Sequence, residues 1–429
     1  MKNFIWKFIL LLFVSTNLFI TTVYANTVPP LDAKGVVLMD GVTGKVFYSK
    51  NPDTQFEPAS TTKIMTALVT LENTNLNDKV TIGVNPPLVE GSIISMSTGE
   101  VFTVSELLLG LLLESGNDAA EALAEHVAGS NAAFGVLMTK KAKELGANNT
   151  TFKNPSGLHE EGHITTAYDL ALIMREAYYN PEFNKIAKTP TYFFENNPNH
   201  DGTEKWVNNK NHVINPETPY YYEYAYSGKT GYTPEAYHTY AAAAVKDNQV
   251  LISSFLNAEN KDAQFLSVGS LFEYGFNNFE TIKLVSKGDK ISDFLLNDGT
   301  TIPLLSSKDF YYSKAKSDPT PDIKFSYEAK DLSKDTITAG ESLFTGNILL
   351  NGKPYDELEF ISSIDRYYNL KVSINDSLFN LKNNLVLIIF LSLVILILFI
   401  RLKNCRRYRK NKFQRKFNRF RNSRNSKKY

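Results

Sequence analysis

The spacing of hydrophobic and polar positions changes several times along this chain, and each change marks a different kind of element. An apolar run over residues 8–19, preceded by Lys2 and Lys7 and closed by Ala25 after Val23 and Tyr24, has the layout of a cleaved export signal spanning residues 1–25. An uncleaved amino-terminal anchor is the other reading of the same segment. Two short β-type runs, 35–39 and 45–48, are joined by Asp40, Gly41 and Gly44 and predict a hairpin that opens a sheet. Helical spacing comes next, with Ile64, Met65, Ala67, Leu68 and Leu71 on one face, then runs over 104–113 and 118–127, and helical patterns dominate as far as Tyr179. Residues 237–245 return to strand character, and 240–256 reads as two strands around the turn Lys246-Asp247-Asn248. Strands, helices and then strands of one sheet predict an α/β (α+β) domain over residues 26–277, an antiparallel sheet sandwiched by helices.

Beyond that domain, residues 282–368 alternate apolar and polar positions between turns at Lys287-Gly288-Asp289, Asn297-Asp298-Gly299 and Asn351-Gly352-Lys353. This predicts a small all-β domain over residues 278–369. Leu370, Ile374, Leu378 and Leu381 then form a helical stripe. It reads either as an amphipathic linker over 370–384 lying on the membrane surface or as a plain helix running on into the next apolar segment. Residues 385–400 are apolar except for Ser392, and Leu402 with the snorkelling Lys382 and Arg401 extends this run to a transmembrane helix over 385–402. From Arg401 onward there are 14 Lys and Arg and no acidic residue, which predicts a basic cytoplasmic tail over 403–429.

Charge bears on partners. Without the leader and the tail, 30 basic residues face 45 acidic ones, so the exported portion is acidic and is not suited to nucleic acid. A single cysteine, Cys405, lies in the tail, so the exported portion has no disulfide and depends on a large core. The six histidines show no zinc-binding spacing; His159 and His163 stand four apart, but Gly162 between them makes a shared helix doubtful, and both read as loop residues. No metal or other cofactor is expected. Between residues 190 and 226 lies a polar stretch with Tyr220, Tyr221, Tyr222, Tyr224 and Tyr226. These rings suit either stacking on sugars or packing of the loop, and packing is the reading favoured here.

Three short clusters carry candidate chemistry: Ser60-Thr61-Thr62-Lys63, Ser115-Gly116-Asn117 and Lys229-Thr230-Gly231. A serine hydroxyl is nearly inert at neutral pH unless a neighbouring base takes its proton as it attacks a carbonyl. Ser60 and Lys63 are three apart and share a helix face if the segment after Pro58 is helical. Burial and a second cation, Lys229, would favour the neutral amine that a base must be. Ser115 and Asn117 fall in a loop between two helical runs, where the hydroxyl can relay a proton and the amide can both donate to a substrate and accept from Lys63. Gly231 opens a strand and lets a substrate backbone come close. Singly, each cluster is commonplace as a helix cap or a turn; together, in this order, they supply what serine acyl transfer needs.

With these clusters, the stretches Leu112-Leu113-Glu114-Ser115-Gly116-Asn117-Asp118-Ala119-Ala120, Lys141-Ala142-Lys143-Glu144-Leu145-Gly146, Asn154-Pro155-Ser156-Gly157-Leu158 and Thr166-Ala167-Tyr168-Asp169-Leu170-Ala171 complete a recognisable set. The chain resembles the low-molecular-mass penicillin-binding proteins, the serine-type D-alanyl-D-alanine carboxypeptidases. That resemblance implies a beta-lactamase/transpeptidase-like fold. It implies Ser60 as acylated nucleophile, Lys63 as base, Ser115 as proton relay and Asn117 as holder of the substrate amide. Lys229 and Thr230 would face the substrate's terminal carboxylate, and the amides of Ser60 and Tyr232 would form the oxyanion hole. The implied partners are the peptidoglycan stem pentapeptide, which loses its last D-alanine, beta-lactam antibiotics, and the membrane. Gln264 stands where an arginine is usual in the family, with Lys261 as a point-charge substitute, Tyr237-His238-Thr239 replaces glycine and small residues, and Gly116 fits the pattern but loosens its loop. Two alternatives remain in view. A serine beta-lactamase would use Glu160 or Glu161 in deacylation, and a wall-binding scaffold would keep the fold while losing turnover.

Overall fold

A computed structural model describes residues 27–196, 202–368 and 370–425; the predicted export signal lies outside them. The chain divides into two compact units, residues 1–286 with 309–322, and residues 287–308 with 323–429.

The first unit is built on an antiparallel sheet of five strands: β1 (Gly35–Asp40), β2 (Val46–Lys50), β3 (Ala225–Thr233), β4 (Tyr237–Lys246) and β5 (Gln249–Ala258), in the order β2-β1-β5-β4-β3. The two ends of the domain's sequence therefore meet in one sheet, with β1 paired to β5 from Gly35↔Leu256 to Asp40↔Leu251. Successive residues of β1 point to opposite faces, and both faces are covered. Val37 and Met39 join one core, Val36 and Leu38 the other, and all four are fully buried. This explains why β1 reads as an unbroken apolar run rather than as an alternation.

Most helices cover the first face: α1 (Lys63–Asn73), α2 (Val104–Leu109), α3 (Asn117–Ala128), α4 (Asn131–Glu144), α5 (Ala167–Tyr179) and α6 (Pro181–Ala187). The second face carries α7 (Lys261–Asn278), whose Phe265, Val268, Leu271, Phe272 and Phe276 pack on Leu38, Tyr240 and Phe255. Burying a side chain of this size contributes about 1.5–3 kcal/mol. Four alanines in succession, Ala241 to Ala244, keep the middle of β4 low on both faces so that helices can approach closely. The tyrosine-rich stretch packs, as its sequence favours. Tyr222 stacks on Phe272 at 6.1 Å and donates to Glu273 at 3.0 Å, while Tyr220 lies 5.3 Å from Phe265. A two-stranded antiparallel ribbon, β6 (Phe279–Val285) with β9 (Phe310–Ala315), belongs to this unit as well. Phe279 stacks on Phe47 with ring centroids 4.3 Å apart.

The second unit holds the sheet formed by β7 (Lys290–Leu295), β8 (Thr301–Ser306), β10 (Ile323–Tyr327), β11 (Ser342–Leu350) and β12 (Lys353–Ser362), in the order β7-β8-β12-β11-β10. Ile302, Leu304, Phe344, Ile348, Leu358 and Phe360 are among its buried residues, alternating with exposed positions as the sequence pattern predicts. The same unit ends in α8 (Leu370–Asn425), continuous from the stripe through the apolar run into the basic tail. Among the described residues it supplies the one helix long and apolar enough to cross a membrane.

Candidate active site

A cleft of about 380 Å³ is lined by residues of all three clusters, Ser60, Ser115, Thr230 and Gly231, and by the adjoining Tyr232. A larger groove of about 810 Å³ around Lys246 and Tyr311 contains none of the residues singled out by sequence for chemistry.

Ser60 sits on a single 3₁₀ turn, Ala59–Thr62, that leads directly into α1 with Lys63 as its first residue. The segment after Pro58 is therefore helical, and the three-residue spacing brings Lys63 Nζ to 2.9 Å from Ser60 Oγ. Lys63 is fully buried, and its Nζ also donates to Asn117 Oδ1 at 2.7 Å and to the Ser156 carbonyl at 2.6 Å. Two of these three neighbours are obligate acceptors, whereas the hydroxyl can donate. A neutral amine has two N–H donors and one lone pair, so that neutral Lys63 satisfies both carbonyl groups and accepts the Ser60 proton. The electrostatics favour this form: burial lowers the Lys63 pKa well below its ordinary range, the Lys229 cation lowers it further, and Asp118 opposes in part.

Asn117 opens α3, its side chain fixed at both ends: Oδ1 faces Lys63, and Nδ2 donates to the Glu90 carbonyl at 2.7 Å. Beside it, Ser115 ends a π-helical turn in the left-handed region, φ 67°, and lines the cleft. Among the described residues Lys63 bonds three groups, and Ser115 is not one of them. Gly116 does not leave the loop slack. A Cβ there would stand 2.9 Å from Asp118 Oδ1 and 3.3 Å from Ile94, and buried Asp118 in turn accepts from the Ile94 and Ala119 amides.

Lys229 is 2% exposed on β3, with its Nζ on the Thr230 carbonyl at 2.8 Å. Burial draws its pKa down to about 7, against a smaller opposing pull from Glu114. Gly231 lines the cleft and is close-packed within the domain as well. A Cβ there would collide with Thr239 Oγ1 and would meet Ser60 N at 2.7 Å and Thr61 N at 3.0 Å, so the nucleophile's own turn is one backbone that approaches it. That contact seats β3 against the Ser60 amide, with Tyr232 next in line at the cleft wall.

Several contributors escape sequence reading. His163, which reads as a loop residue, is 2% exposed behind the nucleophile's turn. Its Nδ1 accepts from the Lys153 amide at 3.2 Å, which leaves Nε2–H to donate to Thr62 Oγ1 at 2.9 Å. Ser156 reaches Lys63 through its carbonyl alone. Gly157, at φ +83°, lies so close to the turn that a Cβ would stand 1.9 Å from the Ala59 carbonyl oxygen. Each of these residues belongs to a short loop motif, but no such motif names its distant partner.

A sequence model described as D-alanyl-D-alanine carboxypeptidase matches residues 22–260, more than half of the chain. The chain belongs to the D-alanyl-D-alanine carboxypeptidase family. Residues 279–368 match a second model, the C-terminal domain of penicillin-binding protein 5. D-alanyl-D-alanine carboxypeptidase DacF of Bacillus subtilis is 34% identical over 323 residues, covering 73% of this chain and 80% of that protein. Penicillin-binding protein 5 of Haemophilus influenzae superposes with a TM-score of 0.66 at 27% identity, over 79% of this chain and 98% of that one. The D-alanyl-D-alanine carboxypeptidase of Mycobacterium tuberculosis H37Rv matches at 32% identity with a TM-score of 0.54, over 58% and 93%. The α/β penicillin-binding, transpeptidase-like fold and the small β domain expected from the sequence are thus those of this family.

Two family departures have a definite location. Gln264 is buried on the first turn of α7 and lines the cleft, its Nε2 donating to the His238 carbonyl at 3.2 Å, with Lys261 and His238 beside it. No arginine lines this cleft among the described residues. Glu160 and Glu161, the glutamates offered for deacylation in the beta-lactamase reading, are exposed and do not line this cleft.

Proposed function

We propose that this chain is a membrane-anchored serine D-alanyl-D-alanine carboxypeptidase that removes the terminal D-alanine from peptidoglycan stem pentapeptides through an acyl-enzyme on Ser60. Neutral Lys63 takes the Ser60 proton as Oγ attacks the carbonyl of the penultimate D-alanine. The tetrahedral oxyanion is held by the amides of Ser60 and Tyr232. Ser115 passes the proton from Lys63 to the departing amine of the last D-alanine, while Asn117 holds the peptide's amide. Water then attacks the ester with Lys63 again as base, and as the acyl–Oγ bond breaks Lys63 returns the proton to Ser60, releasing the shortened peptide. Lys229, Thr230 and Lys261 face the terminal carboxylate, and a beta-lactam presents the same pair of carbonyl and carboxylate to the same residues. The basic tail stays in the cytoplasm, which places the cleft outside.

One observation carries the reading: an amine with two committed acceptors and a serine hydroxyl 2.9 Å from its nitrogen. The test is to incubate the protein with fluorescent penicillin and, separately, with diacetyl-lysyl-D-alanyl-D-alanine. Persistent label together with released D-alanine is expected. Rapid turnover of the label would favour a beta-lactamase, and label without D-alanine release would point to a scaffold or to another peptide.

A further inference from the structure

We propose a divalent-metal site at the rim of this domain, formed by Glu57, His159 and Glu235. One ligand atom from each of the three lies within 4.8 Å of the others. They come from three segments distant in sequence. Glu57 immediately precedes Pro58 and the nucleophile's turn, His159 comes shortly after the Ser156-Gly157 stretch whose carbonyl holds Lys63, and Glu235 occupies the turn between β3 and β4.

The pairing pattern makes this more than a surface acid pair. His159 Nδ1 lies 2.9 Å from Glu57 Oε1, and this is the only ion pair of either carboxylate among the described residues. Among those residues no lysine or arginine pairs with Glu235, which is nonetheless held next to a second carboxylate. Two carboxylates and an imidazole nitrogen thus converge on one point, and a divalent cation there would take the place of the proton between His159 Nδ1 and Glu57 and offset the carboxylates' repulsion.

The donor chemistry selects the ion. One imidazole nitrogen and two carboxylate oxygens suit Zn²⁺ or Mn²⁺, whereas Ca²⁺ and Mg²⁺ prefer all-oxygen cages. Bonds of about 2.0–2.2 Å need donor atoms about 3–4 Å apart, which small rotations of these solvent-facing side chains provide. Three protein ligands leave a position for water. A bound ion would tie together the segment before Ser60, the segment behind Lys63 and the β3–β4 turn. It would bind the folded chain alone, and so would add to its stability.

The test uses the full-length chain in detergent, stripped with a chelator and then dialysed against micromolar ZnCl₂, with retained metal counted by mass spectrometry. About one zinc per chain is expected, with a raised melting temperature. In the double variant Glu57→Gln with Glu235→Gln, retention at that zinc concentration should fall at least about tenfold, while His126→Ala, an exposed histidine elsewhere, should leave it unchanged. Ca²⁺ should not substitute. Equal retention in wild type and double variant, or none in wild type, would overturn the site. Penicillin labelling of the same samples reports separately on Ser60, so a failure here and a failure of the peptidase reading are distinguishable.

Discussion

At the scale of single residues, the pair that matters is one hydroxyl and one amine. Lys63→Arg keeps the charge, but a guanidinium never gives up its proton at ordinary pH and has no lone pair to offer. Acylation by penicillin should therefore slow by about 10²–10⁴-fold, as stopped-flow measurement of labelling would report. His163 provides a second test at this scale. Burial above all, with a smaller contribution from the Lys153 charge, draws its pKa from 6.5 down to about 4. Between those values the unfolded chain binds a proton that the folded chain refuses. Stability that is complete above pH 6.5 is thus lost as the pH falls toward 4, on the order of 3 kcal/mol for this one group. Urea titrations at pH 7 and pH 4.5 should show that loss in the wild type, and a smaller one in His163→Asn, which cannot titrate. Equal losses in both would remove His163 from the account.

At the scale of elements, two of the three clusters carry strained backbone. Ala59 and Ser115 both have positive φ without being glycine; Ala59 directly precedes Ser60, and Ser115 opens the second cluster. Such positions cost about 1–3 kcal/mol apiece and persist only where surrounding contacts hold them. Gly157 is part of what holds Ala59. Gly157→Ala combines a left-handed backbone with a collision against the Ala59 carbonyl. It should destabilise the chain by about 2–6 kcal/mol in denaturant titration and reduce penicillin labelling of whatever remains folded.

The same elements show what the sequence makes legible. Ser60, Lys63, Asn117 and Lys229 can be named as candidates because their side chains would carry the proposed chemistry, and local spacing fixes the elements that hold them. The hairpin at β1 and β2, the strands around Lys246-Asp247-Asn248 and the helical middle follow from period alone. Ser156 is invisible as a partner because it acts through its carbonyl, and His163 because Thr62 is about a hundred residues away. Gly231 announces a close approach without saying which backbone approaches. The pairing of β6 with β9, and the meeting of Glu57, His159 and Glu235, are likewise long-range facts that no local pattern encodes.

At the scale of the whole molecule, the apolar part of α8 is long and apolar enough to cross a membrane, and none of it is buried among the described residues. A chain ending at Tyr368 should leave the membrane fraction, remain soluble and keep its penicillin labelling. Loss of labelling in that soluble chain would mean that the cleft depends on the anchor.

The central claim is that Ser60 becomes a nucleophile because an uncharged lysine stands beside it. Mapping the covalent adduct tests it most directly: the protein is treated with penicillin, digested, and the modified peptide located by mass spectrometry. The account predicts a single adduct on Ser60 and none in Ser60→Ala. An adduct on another residue, or full modification of the Ser60→Ala chain, would contradict it.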